Sequence, residues 1–303
     1  MAVPETTALI RACLRDGTGG TGGSPTAVVP DDDRLSDEDR RRVPVERGTS
    51  HAVFLRVHRR PRPEVRIRFF TSAGELPACG HGTVAALAFL ASRAGAGAEA
   101  GPGAGAEYRA TLRTSTRTFD GWAVRNGAHF SASFDPGPVG LRPPTAAERE
   151  LALPPLGIAA DGAAPGLRVA GVGRERLLVP VPSRAALAAV DPDLDGLRDA
   201  CDRLGLLGAY VYSPPSPSGE LAARMFAPSI GVPEDIANAN STACLAALLA
   251  RRGTTRIAVD MGDAVGSPAT VTATARIGPS GVRIRVGGAA TAAGFRVAGC
   301  REA

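Results

Sequence analysis

The sequence predicts an α+β fold arranged as two halves of similar plan. Three observations predict it. Short segments in which apolar residues alternate with others, such as His51 to Val57 and Val65 to Phe70, recur along the chain and suit strands. Two Ala/Leu-rich segments, Val84 to Arg93 and Ala243 to Arg251, read as buried helices. Each follows a long loop, and each loop follows a similar strand: Arg68-Phe69-Phe70-Thr71 in one half, Arg224-Met225-Phe226-Ala227 in the other. Two readings stand here, an internal duplication and a likeness due only to the composition of Ala/Leu helices.

Taken in order, Ala8 to Leu14 reads as a strand, Gly17 to Gly23 as a turn, and Thr26 to Val29 as a short apolar run. Ser36-Asp37-Glu38-Asp39 has the acidic first turn of a helix that continues through Arg42 and that Pro44 should limit. After the strands at 51–57 and 65–70, Gly74 to Thr83 is turn-rich and leads into the first apolar helix. Ala94 to Gly105 is an Ala/Gly tract expected to form a flexible loop. Glu107 to Thr118, Trp122 to Arg125 and His129 to Phe134 read as strands. Pro136, Pro138, Pro143 and Pro144 then mark a boundary near residue 141. In the second half, Leu177 to Val181, Ala209 to Tyr212 and Ala222 to Phe226 read as strands, and Ser183 caps a helix to Val190. Pro233 to Thr242 leads into the second apolar helix, and strands at 257–259, 270–277 and 282–286 follow.

Composition narrows the chemistry. With 303 residues, 44% hydrophobic and 21% charged, the chain can bury a core. It contains no Lys, which removes a lysine Schiff base and the lysine of a phosphate-binding loop. A net charge of +5 in interrupted Arg runs, with only 4% aromatics, argues against nucleic acid as a partner. No apolar run reaches the roughly 20 residues of a membrane span, and the first residues lack a signal-peptide pattern, so a cytoplasmic protein is expected. Five cysteines (Cys13, Cys79, Cys201, Cys244, Cys300) stand far apart without a CxxC pair, and the four histidines form no HxxxH pair. Neither a disulfide framework nor a metal site is expected.

The loops before the two apolar helices concentrate the remaining signal. A helix start presents unpaired N–H groups and a partial positive charge, which suits a carboxylate. Gly80 and Gly82 would let a ligand approach the first such backbone, beside His81, while Glu234 and Asp235 stand before the second. His58 among Arg59, Arg60 and Arg62 reads as a solvated loop, His129 as a structural residue on a strand, and Trp122 as packing. Cys79 reads first as a small buried side chain at the base of its loop.

On these residues the chain resembles the PhzF family, phenazine-biosynthesis isomerase-like proteins on the diaminopimelate epimerase fold. Gly23 to Val29 is similar to the family's GNPxAVV turn. Arg68 to Thr71, Glu75-Leu76-Pro77 and Cys79-Gly80-His81-Gly82-Thr83 are similar to its RxFTPxxELPxCGHAT signature. Arg224 to Pro228 with Gly231 to Asp235 resembles its RxFxPxxGxxEDxATGSA signature. The resemblance implies two pseudo-symmetric domains, each a mixed sheet around a central helix, spanning 1–141 and 142–285, with 286–303 returning to the first. It also implies a homodimer, no cofactor, and a proton moved between carbons of a small amino-acid-like carboxylic acid.

The departures fall on the implied site. The family's shuttling Glu lies in a SETVF segment, and here that segment is Ser50-His51-Ala52-Val53-Phe54, with His51 at the Glu position. The ATGSA stretch reads Ala237-Asn238-Ala239-Asn240-Ser241. Imidazole can still serve as acid and base near neutral pH. The resemblance therefore implies catalysis by His51, His81 and Asp235, with Cys79, Gly80, Gly82, Asn238, Asn240 and Ser241 around the substrate. The expected reaction is a 1,3-proton shift in an unsaturated or cyclic amino-acid-like acid; one related branch acts on alkylproline precursors of antibiotics. Two rivals remain. One is an epimerase or racemase on the same fold, although the second thiol of such enzymes falls at Asn238 and Cys244 lies six residues beyond. The other is an inactive small-acid-binding homologue.

Overall fold

The computed structural model describes residues 7–18, 21–58, 62–95, 107–159, 166–279 and 281–293. It is an α+β structure dominated by strands, with six α-helices among the described residues: α1 (Asp37–Arg47), α2 (Gly80–Gly95), α3 (Ala146–Ala152), α4 (Arg184–Ala188), α5 (Leu194–Leu204) and α6 (Ala239–Ala250). Contacts divide the described chain into two compact units. One gathers residues up to Ala12, Pro25–Ala132 and from Ala289; the other holds Cys13–Ser24 and Ser133–Gly288. Among the described residues no helix is long and apolar enough to cross a membrane. The expectations for the 94–105 tract beyond Gly95, for Arg59 and Arg60, for Cys300 and for the return of 294–303 lie outside the described residues.

In the first unit Ser24–Pro30 runs parallel to His51–His58, which pairs antiparallel with Glu64–Phe70. Glu64–Phe70 pairs in turn with the short strand Glu75–Leu76 and, in parallel, with Glu107–Arg113. The sheet packs on α2, whose residues from Gly80 to Leu90 are all buried. An Ala/Leu helix of this kind fits between strands because small side chains let the backbones approach while leucines fill the remaining space. His51 opens its strand, opposite Thr26, so its backbone is fixed at the start of the ladder.

In the second unit the strand Glu220–Ala227 is central. It pairs antiparallel with Ala209–Tyr212 and with Val232–Asp235, and parallel with Arg256–Met261. Helix α6 is buried from Ser241 to Ala250 against the strands Arg168–Gly171, Arg256–Met261 and Ala269–Gly278. A second core lies beneath α3 and α5, centred on Leu153, Leu197, Cys201 and Leu206.

Three sequence expectations are corrected. Pro44 does not end α1, which runs on to Arg47. The proline removes one backbone donor but is itself buried, and its carbonyl accepts from the Gly48 and Thr49 N–H groups that close the helix. The run Glu107 to Thr118 is two strands, because Thr114 to Arg117 form a turn closed by the Thr114 N–H to the Arg117 carbonyl at 2.9 Å. The two central helices also begin earlier than predicted, at Gly80 rather than Val84 and at Ala239 rather than Ala243. Polar and glycine residues that weaken a helix interior cost little in the first turn, where N–H groups have no intrahelical partner.

Candidate active site

The early start of α2 turns Cys79-Gly80-His81-Gly82 from a loop into the entrance of a helix. His81 sits in the first turn and is 2% exposed. His51, at the start of its strand, is 4% exposed. The two imidazoles meet edge to face, with centroids 4.5 Å apart and His81 Nε2 3.1 Å from His51 Nδ1. Cys79 Sγ lies 3.4 Å from the same His81 Nε2, and Ser50 Oγ lies 2.8 Å from His51 Nδ1. A chain of four polar side chains thus runs from exposed Ser50 into the buried thiol. Two of its members, His51 and His81, were expected from the sequence as proton carriers. Ser50 was not singled out, although its adjacency to His51 was the available signal.

Burial, followed by the neighbouring His81, holds His51 well below the ordinary imidazole pKa. His51 is therefore neutral near pH 7, with one nitrogen free to accept a proton. A neutral imidazole has one donor and one acceptor nitrogen. If His51 Nδ1–H donates to His81 Nε2, the free lone pair sits on His51 Nε2; if His81 donates, His51 Nε2 carries the proton instead. The 3.1 Å contact couples the two arrangements.

Gly82 has a packing role. A Cβ there would come within 3.0 Å of Cys79 Sγ and Val53 Cγ2 and 3.2 Å of Phe69 Cδ1. The space expected for a ligand on that side is filled by the protein itself. Thr83 donates through both its N–H (3.0 Å) and its hydroxyl (2.8 Å) to the Cys79 carbonyl, fixing the thiol to the helix start.

The second helix entrance is built differently. Asn238 is the N-cap of α6, its Oδ1 accepting from the Ser241 N–H at 2.9 Å. Its Nδ2 donates to Asp235 Oδ2 at 3.0 Å, and Asp235 Oδ1 accepts from the Ala237 N–H at 3.3 Å. Thr242 and the buried Tyr210 hydroxyl, 2.8 Å apart, support the cap from below through the Asn238 carbonyl. Asn240 has a buried Oδ1 with no hydrogen-bond partner among the described residues. Ser241, expected at the substrate, is fully buried with its hydroxyl 3.6 Å from Met225 Sδ. Cys244 is buried within α6, 3.5 Å from the Arg176 guanidinium, and burial raises its thiol pKa.

The sequence echo has a structural content. Arg68 donates from Nε (2.9 Å) and Nη2 (2.7 Å) to the two oxygens of Glu75 and stacks 4.9 Å from the Phe70 ring. Arg224 donates from Nε (3.0 Å) and Nη2 (2.7 Å) to the two oxygens of Glu234 and stacks 4.8 Å from the Phe226 ring. Each clamp ties the strand to the short strand that leads into its central helix. Glu234, which the sequence placed beside the second entrance, is thereby committed to Arg224. The other residues weighed from the sequence stay outside these clusters: His58 and His129 are exposed at strand ends, and Trp122 is half-buried on Thr118–Asn126.

An α+β chain with a buried imidazole pair at a helix start, His51 of the pair held neutral, is suited to moving protons. The chain belongs to the phenazine biosynthesis-like protein family (PhzC-PhzF), whose model matches residues 18–294. It is an enzyme of the isomerase class within that family. It is 30% identical over 237 residues to the uncharacterized isomerase YddE of Escherichia coli O157:H7, covering 75% of this chain and 74% of that protein. It is 31% identical over 235 residues to the trans-2,3-dihydro-3-hydroxyanthranilate isomerase of Pseudomonas chlororaphis, covering 76% of each. In fold it matches the structure of a predicted epimerase, PA4716 of Pseudomonas aeruginosa, with a TM-score of 0.76 at 24% identity, over 95% of this chain and 96% of that one.

Proposed function

We propose that this enzyme catalyses a 1,3-proton shift in a small unsaturated or cyclic amino-acid-like acid, with His51 as the carrier. The observation that carries the proposal is the 3.1 Å contact between His51 Nδ1 and His81 Nε2 in a buried setting. His51 Nε2 takes a proton from one carbon and becomes imidazolium, while His81 Nε2 accepts the Nδ1–H hydrogen bond and stabilises the charge. The same nitrogen returns the proton to the carbon two positions along, so no net proton is consumed.

The family resemblance supplies the rest of the reading: two pseudo-symmetric domains, spanning 1–141 and 142–285, whose helix starts serve one substrate. Asp235, held by Asn238 and the Ala237 N–H, would then take a substrate amine. Asn240, whose carboxamide carbonyl is buried without a partner among the described residues, would meet an N–H or O–H of the substrate. Gly80 and the first-turn N–H groups of α2 would face the carboxylate. Homodimerisation, a cytoplasmic setting, independence from a cofactor and a place in bacterial antibiotic biosynthesis, of the alkylproline type, belong to the same proposal.

The test is isotope exchange in deuterium oxide. The first substrates are trans-2,3-dihydro-3-hydroxyanthranilate, the compound named for one relative, and unsaturated proline-type acids. The expected result is a moved double bond with His51→Ala slower by about two decades or more, the usual worth of a general acid–base. Exchange at full rate in that variant overturns the role of His51. Inverted stereochemistry with the double bond in place would make the enzyme an epimerase, and tight binding with no exchange would make it an inactive homologue.

A further inference from the structure

The same three side chains that would handle protons carry a second chemistry. One ring nitrogen of His51, one of His81 and the Cys79 Sγ lie within 4.8 Å of one another, and all three residues are buried; His81 Nε2 is 3.1 Å from His51 Nδ1 and 3.4 Å from Cys79 Sγ. We propose that they form a binding site for a divalent cation of the zinc class, with a fourth position left open, and that a bound cation silences the proton carrier.

The donor set is the first argument. Two imidazoles and a thiolate are ligands that zinc and its neighbours favour, and three protein ligands plus one open position is the pattern of a reactive zinc site. Distance is the second. Tetrahedral zinc with ordinary bond lengths places two nitrogens ~3.3 Å apart and a nitrogen and sulfur ~3.6 Å apart. The observed separations are 3.1 Å between the nitrogens and 3.4 Å between Cys79 Sγ and His81 Nε2. Small ring rotations would open both edges to fit. Preorganisation is the third: His51 is anchored in a strand, Cys79 is held by two bonds from Thr83, and the tight packing around Gly82 keeps the thiol in place. The trio lies one side chain from solvent, since Ser50 is exposed and its Oγ is 2.8 Å from His51 Nδ1. Sequence spacing hid the trio because its members come from a strand start and a helix start 30 residues apart.

The chemical consequence follows from which nitrogen is used. Coordination through Nδ1 leaves the proton of a neutral His51 on Nε2, so that nitrogen can no longer act as a base. Cys79 binds as thiolate and gives up its S–H proton, so one proton is released for each cation bound.

The test uses the full chain, stripped of metal with a chelator and titrated with Zn2+ or Co2+ alone. The expected result is one ion per chain by equilibrium dialysis and, with Co2+, a near-ultraviolet thiolate charge-transfer band together with visible bands of tetrahedral cobalt. Cys79→Ser should lose the charge-transfer band, and both it and His51→Ala should bind about tenfold more weakly or worse, with each variant's fold checked by circular dichroism. Proton release in unbuffered solution should match the ion bound, and Zn2+ should stop isotope exchange until chelator restores it. Failure of the unmodified chain to bind either ion at micromolar concentration, or binding unchanged in both variants, overturns the site. The binding readout needs no substrate, and the role of His51 in exchange is measured on metal-free protein, so either proposal can fail without the other.

Discussion

The two helix entrances share a frame and differ in their chemistry. Both are reached through a strand ending in an Arg-x-Phe sequence, whose arginine grips a glutamate on the next short strand and covers an aromatic ring. Beyond that frame they diverge. The first ends in two imidazoles and a thiol within hydrogen-bonding distance along a chain. The second ends in a carboxylate and carboxamides, and Asn238 caps the helix, its Oδ1 accepting from the Ser241 N–H. The clamp therefore belongs to the scaffold and the entrance to the chemistry.

Cutting the clamps is the most severe trial of this contrast. Arg224 and Glu234 keep 14% and 10% of their side chains exposed, against 16% and 31% for Arg68 and Glu75. Arg224 also donates to the carbonyls of Val190 (2.5 Å) and Leu187 (3.3 Å). Arg224→Ala should therefore cost about 3–5 kcal/mol, the loss expected when one partner of a buried pair is removed. Arg68→Ala should cost less, because water screens Glu75 and can solvate it. Urea denaturation measures both; equal losses would contradict the ranking.

The next effect concerns packing at the first entrance. Gly82→Ala should lower stability by about 1–3 kcal/mol, the range for overpacking a filled core, since the new methyl group meets Cys79, Val53 and Phe69 at 3.0 to 3.2 Å. Unchanged stability would show that these neighbours yield freely. A pH effect of similar size should come from His51. Its native pKa is lowered by burial, so between that value and the unfolded value near 6.5 the unfolded chain binds more protons. Stability should then rise with pH across that window, by up to about 1.4 kcal/mol per unit, and the dependence should shrink in His51→Gln. The smallest effect is at the second entrance, where Asn238→Ala removes a helix cap and should cost about 1 kcal/mol, while Asn238→Asp should keep most of it.

Much of this was legible in the sequence, for identifiable reasons. Ala209 to Tyr212 and His51 to Val57 announce strands through apolar and β-branched runs, and the strands form where predicted. The central helices announce themselves by composition, but their first turns do not, since Gly80-His81-Gly82 and Asn238-Ala239-Asn240 look like loop. The signal for the second was Asn238 itself, three residues before the N–H that it caps. Helix α5 was not read from the sequence, although Asp193 as its cap and Leu197, Ala200 and Cys201 on one buried face were the available signals. The contact between His51 and His81 was not readable. It depends on the pairing of His51 with Thr26 and on where α2 starts, neither of which a linear sequence displays. The family signature pointed to both residues, and only the fold brings them into contact.

The proposed proton shift rests on the imidazole at position 51 carrying the migrating hydrogen, and single-turnover exchange in deuterium oxide with metal-free protein probes that step without intermediaries. The unmodified enzyme should exchange or move one substrate C–H, and His51→Ala should be slower by about a hundredfold or more. An unaltered rate in a folded His51→Ala variant would contradict the assignment.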